Sequence, residues 1–289
     1  MLRSVIHNEE GLDKVRPMTA CDHNEWKATR IWPASRPARE LEATTFPFFI
    51  HSVFAGLVPL FSDFLCAILD HYQIHLLHLQ PNSIFLLAIF AYLCEAFLGV
   101  MPSVALWRCF YSLRITAGNQ RSGCASFRIA DGMAEKIINM RIAKKVEGFR
   151  TRWIYMDAKQ FSPLFLIPTE PAVKSSGWEH DELRDARLAP LVERMQELKA
   201  AGLTGAMVAK EFIRRRIAPL QRRSRPVWMI SGSEDPMRLS ADSLRPEVME
   251  EILKILFSEK VGHMAKEAFP LYRFTNRDDM IADMPSFDQ

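Results

Sequence analysis

Three histidines, His71, His75 and His78, have the kind of spacing that metal ligands often show. They lie across the end of an expected helix and the loop "IHLLHLQPN" that follows it, where polar side chains are common without a metal. We therefore interpret the three histidines as structural and predict no metal site.

Two further motifs resemble catalytic ones. "YMDA", from Tyr155 to Ala158, is similar to the Y-x-D-D motif of polymerases, but an alanine stands where the second metal-binding aspartate is needed. "SGSED" around Ser233 lacks the second glycine of a G-x-S-x-G nucleophile elbow and is interpreted as a turn. No glycine-rich phosphate loop occurs in the sequence. We predict no catalytic residue, no cofactor and no small-molecule substrate. An enzyme, the alternative, would require a cleft with convergent titratable groups.

A single acidic residue, Glu95, lies near the end of the apolar stretch "NSIFLLAIFAYLCEAFLGV" at 82–100. The uninterrupted apolar run, Ile84 to Cys94, is eleven residues, or about 16 Å of helix. The hydrocarbon core of a bilayer is about 30 Å thick, and a span extended beyond Cys94 would place Glu95 inside it. We predict a buried helix in a water-soluble domain. The alternative is a membrane-associated protein that uses the apolar segment 83–100.

A buried Glu95 needs a partner, because an unpaired buried charge is strongly unfavourable. In a helical hairpin that turns near residues 99–102, position 95 lies opposite position 107 or 108. The sequence therefore predicts a structural ion pair between Glu95 and Arg108.

The segment from Lys210 to Arg225 carries seven cations against one acid, Glu211. Such a run can bind phosphates. Three consecutive arginines on a helix sweep about 200° of its surface, so they cannot form one stripe, and pairing with acids such as Glu193, Glu197 or Glu250 is the alternative. The residues predicted to contact nucleic acid are Arg214, Arg215, Arg216, Arg222, Arg223 and Arg225. Arg141, Lys144, Lys145, Arg150 and Arg152 could widen this surface, with Trp153 available for stacking.

Apolar periodicity and punctuation by proline and glycine predict an α+β fold that is mainly α, with an N-terminal four-helix module, a small central antiparallel sheet and C-terminal helices. The last helix of the module is predicted to be "SVALWRCFYSLR", and later helices are predicted at 190–201, 204–217 and 246–257. The predicted divisions are a disordered segment at 1–45, the helical module at 46–114, a basic β region at 115–160 with its sheet at 124–158, a proline-rich linker at 161–180, a helical region at 181–258 and a loosely ordered tail at 259–289.

The composition excludes few classes of protein. A net charge of +3 over 289 residues is too small to imply a nucleic-acid partner by itself. The five cysteines are scattered and show no C-x-x-C spacing, which favours a reducing compartment over a disulfide framework. The N-terminal residues lack a secretory pattern. We expect an intracellular protein, cytoplasmic or nuclear.

The run "HLQPNSIFLLAIFAYLCEAFLGVMPSVALWRCFY" resembles the plant "putative gypsy type transposon" domain, a gag-like N-terminal region of plant retroelement proteins. The matching positions are His78-Leu79, Pro81 to Ile84, Ala88, Phe90, Leu93 to Gly99, Pro102, Leu106 to Arg108, and Phe110.

The likeness continues more weakly downstream. Gly148, Trp153 and Tyr155 resemble a G-W-x-x-x-W-F-Y element from which Phe149 and Ile154 depart, and "GLTGAMVAKEFIRRRIAPLQRR" resembles a later segment, so that the likeness extends over about 46–256 with gaps. The family has no assigned catalytic residues. The resemblance therefore implies a non-catalytic protein that acts by self-association or by non-specific contact with nucleic acid.

Overall fold

The computed structural model describes residues 31–32, 45–55, 57, 61–116, 119–140, 142, 146–157, 162–180 and 186–213. Five strands and six α-helices lie in these ranges. The strands are β1 Ile31–Trp32, β2 Thr45–Phe49, β3 Tyr111–Ile115, β4 Ala125–Ile129 and β5 Trp153–Asp157. The helices are α1 Ile50–Phe54, α2 Asp63–Tyr72, α3 Pro81–Leu93, α4 Val104–Arg108, α5 Ala189–Ala200 and α6 Gly205–Phe212. The predicted α+β class is confirmed, as are the four helices of the N-terminal module.

Helix α3 is the centre of the core. It begins with Pro81, which suits the first helical turn because its missing N–H would have no helical partner there. Every residue of the helix is buried, so it has no water-facing side. Pro81–Leu98, which includes the turn that extends α3, is long and apolar enough to cross a bilayer, yet all of it lies inside the folded protein. The predicted buried helix is confirmed.

The end of α3 holds the buried carboxyl group. The helix continues as one π-helical turn, Cys94–Leu98, and Gly99 stops it with a left-handed φ of 76°. Glu95 lies in this turn and is fully buried. After the reversal, the Ser103 hydroxyl caps α4 by accepting a hydrogen bond from the Leu106 N–H at 3.2 Å.

Two stretches that were predicted to be helical form strands. The segment "SVALWRCFYSLR" is helical only as far as Arg108. Tyr111–Ile115 instead forms β3, because its backbone pairs along its whole length with β4. Phe46 to Phe49, also predicted to be helical, belongs to β2 because it pairs along its whole length with β5. Bulky aromatic residues suit a strand as well as a helix, and pairing with a distant segment decides between them.

The strands form two antiparallel sheets instead of the single sheet predicted over 124–158. One sheet has the order β1-β5-β2, and the other consists of β3 and β4. The segment 136–140, which lies within the predicted sheet region, forms turns and coil. Strand β1 lies within the segment 1–45 that was predicted to be disordered.

The segment 162–180, predicted to belong to a linker, packs against the main core. It contains only two short 3₁₀ turns, Pro163–Phe165 and Ser176–Trp178. Phe165 and Trp178 are nevertheless buried, and the Trp178 indole N–H donates to the Tyr72 carbonyl at 3.0 Å. Burial of these two large apolar rings contributes to stability, so the segment contributes side chains to the core as well as connecting its neighbours. The division of the chain into domains stays a prediction.

Helices α5 and α6 begin where the sequence predicts. The Thr204 hydroxyl caps α6 by accepting from the Met207 N–H at 3.3 Å. Three predictions lie outside the described residues: the continuation of the predicted helix to residue 217, the predicted helix at 246–257, and the tail at 259–289.

Candidate functional site

An open groove of about 750 Å³ lies over one face of the three-stranded sheet. We call it the arginine groove. Phe49 of β2 and Trp153 of β5 are register partners, so their side chains share this face. Among the residues that the structure describes, the groove is lined by Pro47, Phe49, Leu77, Gln120, Arg121, Ser122, Arg150, Trp153, Ile167 and Pro168.

The floor of the groove is a small apolar cluster separate from the main core. The Phe49 and Phe149 rings pack edge to face with centroids 5.1 Å apart, and Trp153 packs in the same way on Tyr155 at 5.1 Å. Leu77 and Val146 complete the cluster. Trp153 is 6% exposed and Phe49 5% exposed, so each ring presents only a small part of its surface to the groove. The prediction of Trp153 as a freely available stacking platform is corrected: it is a fixed part of the floor.

Arg150 ties one wall of the groove to the floor. Its Nε–H donates to the Ser122 carbonyl at 3.2 Å and an Nη2–H donates to the Gly123 carbonyl at 2.8 Å. Its guanidinium carbon lies 4.9 Å from the centre of the Phe149 ring, at cation–π distance. Partial burial lowers the pKa of Arg150, but the ordinary value is so high that the group stays cationic at neutral pH.

Gly123 lets this wall approach the floor closely. It has a left-handed φ of +59°, and a Cβ there would lie 2.6 Å from Phe149 Cε2. Its N–H donates to the Leu77 carbonyl at 2.7 Å, which fixes the loop against the floor. A glycine is therefore required by both the backbone conformation and the space.

The electrostatics of the groove favour an anion. Arg121 is exposed on the wall and Arg150 is half-buried behind it, and none of the described residues that line the groove is acidic. A concave apolar site with two cations suits a ligand that combines negative charge with a flat apolar body.

Two of the histidines considered as metal ligands instead connect backbone segments beside the groove. The His78 Nδ1 accepts from the His75 backbone N–H at 3.1 Å, so its Nε2 carries the proton of the neutral ring and donates to the Glu170 carbonyl at 3.1 Å. The His75 Nδ1 lies 3.2 Å from the Leu166 carbonyl oxygen. Both rings thus hold the segment that carries Ile167. Among the residues that the structure describes, no group of three or more histidine, cysteine or acidic side chains is arranged to hold a metal ion.

Acidification is expected to destabilise the protein through two histidines. Burial, and secondarily the positive charge of Arg152, lowers the pKa of His51 to about 4, and burial also lowers the pKa of His78. Both folded-state pKa values lie below the unfolded value of about 6.5, so the unfolded chain binds more protons. The stability contributed by the neutral rings is present above pH 6.5 and is lost as the pH falls toward 4. With allowance for solvent screening, we expect His51 to account for about 1–2 kcal/mol of that loss.

Urea unfolding at several pH values between neutral and mildly acidic measures this effect. His51→Gln should make the free energy of unfolding depend less steeply on pH. His180→Gln, a control at a half-buried position, should leave that dependence as in the parent. An equal slope in His51→Gln and the parent would contradict the assignment.

The structure places the other predicted site residues unevenly. Arg214, Arg215, Arg216, Arg222, Arg223 and Arg225 lie outside the described residues, as do Arg141, Lys144 and Lys145. Arg150 and Trp153 meet in the groove, while Arg152 is exposed. Sequence reasoning missed Arg121, although its position in the polar loop "GNQRSG" could have drawn attention to it.

The two members of the predicted ion pair lie in separate elements, Glu95 in the π-helical turn that ends α3 and Arg108 in α4. Arg108 ends α4 and is half-buried. Burial raises the pKa of Tyr72 well above its ordinary value, and the positive charge of Arg108 opposes this shift. Burial, followed by the negative charge of Glu95, raises the pKa of the Cys94 thiol. The ion pair itself stays a prediction.

A comparison with protein families gives one match. The family model described as "Putative gypsy type transposon" matches residues 48–115, which is less than half of the chain. No curated protein and no solved structure matches. The matched residues include Phe49 and Leu77 of the groove floor, whereas both groove arginines lie beyond them. The more distant parts of the resemblance, at 148–155 and beyond residue 200, stay predictions.

Proposed function

From the gypsy-type transposon domain at residues 48–115, we propose that the protein is gag-like, derived from a plant retroelement and without catalytic activity. It acts by self-association or by non-specific contact with nucleic acid. The match of the family model supports the retroelement derivation, and that derivation is the observation on which the proposal rests. We place its action inside the cell, in the cytoplasm or nucleus.

Nucleic-acid contact is the better supported of the two modes. The arginine groove offers Arg121 and Arg150, with no carboxylate among the lining residues in the described part of the chain, and the predicted basic run at 210–225 adds cations along the chain. Arginine recognises phosphate through its planar array of donors. Since no module that reads base edges is recognisable in the sequence, the contacts of the basic run are to phosphates and indifferent to sequence.

Self-association has a weaker basis. Leu166, Ile167 and Val173 are exposed apolar residues of one segment, with Val173 80% exposed. Scattered exposed apolar residues are common on monomers, so this observation supports self-association only moderately. Sedimentation velocity over a range of protein concentrations distinguishes a monomer from an oligomer. A membrane role is not part of the proposal, because the apolar helix α3 is buried along its whole length.

Replacing Arg222, Arg223 and Arg225 together by alanine tests the phosphate contacts. Binding should weaken equally for oligonucleotides of unrelated sequence. If all three contact single-stranded phosphates, the slope of log affinity against log salt should flatten by about 2, because each neutralised phosphate releases part of a counterion. Fluorescence anisotropy at several salt concentrations measures both quantities.

The matched control replaces the same three arginines by lysine, which keeps the charge and should retain most of the salt slope. Unchanged affinity in the alanine variant would remove the basic run from the interface. Failure of the parent protein to bind any oligonucleotide at low salt would contradict the proposed nucleic-acid contact.

A further inference from the structure

We propose that the arginine groove holds an unpaired nucleobase with its adjoining phosphate, so that the protein prefers single-stranded to duplex nucleic acid. This inference rests on the proposed function and names the chemical form of nucleic acid that the site takes. It goes beyond phosphate contact because it assigns a role to the apolar floor as well as to the arginines.

The size and shape of the groove suit one base and its sugar. Its volume of about 750 Å³ is that of a small-molecule site. The bases of a duplex are stacked on one another and cannot enter such a concavity, whereas an unpaired base can turn into it. The floor presents the small exposed edges of the Phe49 and Trp153 rings, and Ile167 and Pro168 add apolar surface at the rim. Every base has a flat apolar face, so such a floor accepts bases without reading their identity.

The two arginines have different roles in the groove. At least two of the five N–H donors of Arg150 already form hydrogen bonds to the carbonyls of Ser122 and Gly123. It is therefore a positioning residue, which keeps the wall closed on the floor and adds positive charge. Arg121, exposed on that wall, is the group that contacts the phosphate.

A peptide ligand fits the same groove less well. Extended peptides usually bind by adding a strand to a free sheet edge. This groove lies over the sheet face, where β2 and β5 already pair from Thr45–Asp157 to Phe49–Trp153. Pro47 in the lining also lacks an N–H donor. A nucleotide needs only apolar contact for its base and a cation for its phosphate.

Three probes of about 12 nucleotides, a length within the usual range of single-strand sites, separate base contact from phosphate contact. They are an oligothymidine, an abasic strand with the same phosphates, and a duplex of the same length. Fluorescence anisotropy with the 289-residue chain at low salt should show the oligothymidine binding about tenfold more tightly than the abasic strand, since contact of a base with the apolar floor and rim adds free energy that phosphates alone do not supply.

Ile167→Asp places a carboxylate at the groove rim and should reduce the preference for oligothymidine over the abasic strand to about twofold or less. Its matched control is Val173→Asp, in the same segment but outside the groove lining. Both residues are exposed, at 51% and 80%, so neither substitution removes a buried side chain. Arg121→Ala should weaken the binding of both strands, whereas Arg128→Ala, also exposed but outside the lining, should not.

Equal binding of the oligothymidine, the abasic strand and the duplex would overturn the inference while leaving the proposed phosphate contact intact. An equal loss of preference in Ile167→Asp and Val173→Asp would also overturn it, because the effect would then be one of general charge. Absence of binding to all three probes at low salt would instead overturn the proposed nucleic-acid contact itself, and the inference with it.

Discussion

Gly205→Ala is expected to lower the free energy of unfolding by about 3 kcal/mol, the upper part of the usual range for overpacking. Gly205 is the first residue of α6, and a Cβ there would lie 2.6 Å from Met140 Cα and 2.8 Å from the Asn139 carbonyl carbon. These are backbone atoms, which cannot turn aside as a flexible side chain can. Alanine favours helices over glycine by only about 1 kcal/mol, too little to offset the clash. The helix must therefore move away from residues 139–140.

Movement of α6 should also be visible in the core. Phe212 is fully buried, with its ring centroid 6.1 Å from that of Phe85 and 5.9 Å from that of Tyr92. Hydrogen exchange of the α6 amides should accelerate in Gly205→Ala, alongside the shift in chemical denaturation. Gly177→Ala is the control, because its Cβ would meet only Ser175 Oγ at 3.7 Å and His71 Nε2 at 4.0 Å, both ordinary contacts. We expect it within about 0.5 kcal/mol of the parent; equal effects of the two substitutions would contradict the close-contact explanation.

Glu95 and Arg108 are expected to be energetically coupled. Glu95 is fully buried in the π-helical turn, and an ionised carboxylate there requires compensation. Removal of one partner from a buried pair typically costs about 3–5 kcal/mol, whereas replacement of both by apolar groups costs much less. Glu95→Gln and Arg108→Met should therefore each be strongly destabilising, and the double variant should be less so than their sum.

Chemical denaturation of the parent, the two single variants and the double variant measures the coupling energy. Additive losses would show that the two side chains do not interact. Val104→Ala, in the same short helix and also half-buried, provides a comparison for the loss of packing alone. It should leave the effect of Glu95→Gln unchanged.

Local chemistry made several elements predictable from the sequence. Pro81 and Gly99 bracket α3 together with its π-helical turn, and the continuous apolar run between them indicated burial on all sides. The start of α6 at the Thr204 cap was predictable for the same reason. In each case a residue within one turn of the boundary satisfies or removes a backbone hydrogen-bonding group, and such interactions depend only on near neighbours.

Elements that depend on distant partners were not predictable in the same way. Tyr111–Ile115 carries apolar residues that fit either a helix or a strand, and pairing with β4 makes it a strand. The conformation of Phe46 to Phe49 is set by pairing with β5, which lies more than a hundred residues away in the chain. Trp178 in a proline-rich segment gave no indication of burial until its indole N–H was seen to reach the Tyr72 carbonyl.

The sequence by itself determined the apolar centre of this protein, the starts of α3 and α6 and its resemblance to a gypsy-type transposon domain. Each of these features depends on residues that are contiguous in the chain. The arginine groove was decided only by the tertiary structure, because its lining comes from five separate stretches: β2, Leu77, the loop at 120–122, Arg150 with Trp153, and residues 167–168. Arg121 and Arg150 are ordinary surface cations in the sequence. They become parts of one site because Gly123 lets the loop that carries Arg121 close on Phe149, the neighbour of Arg150, and a close approach of that kind depends on three-dimensional packing between segments far apart in the chain.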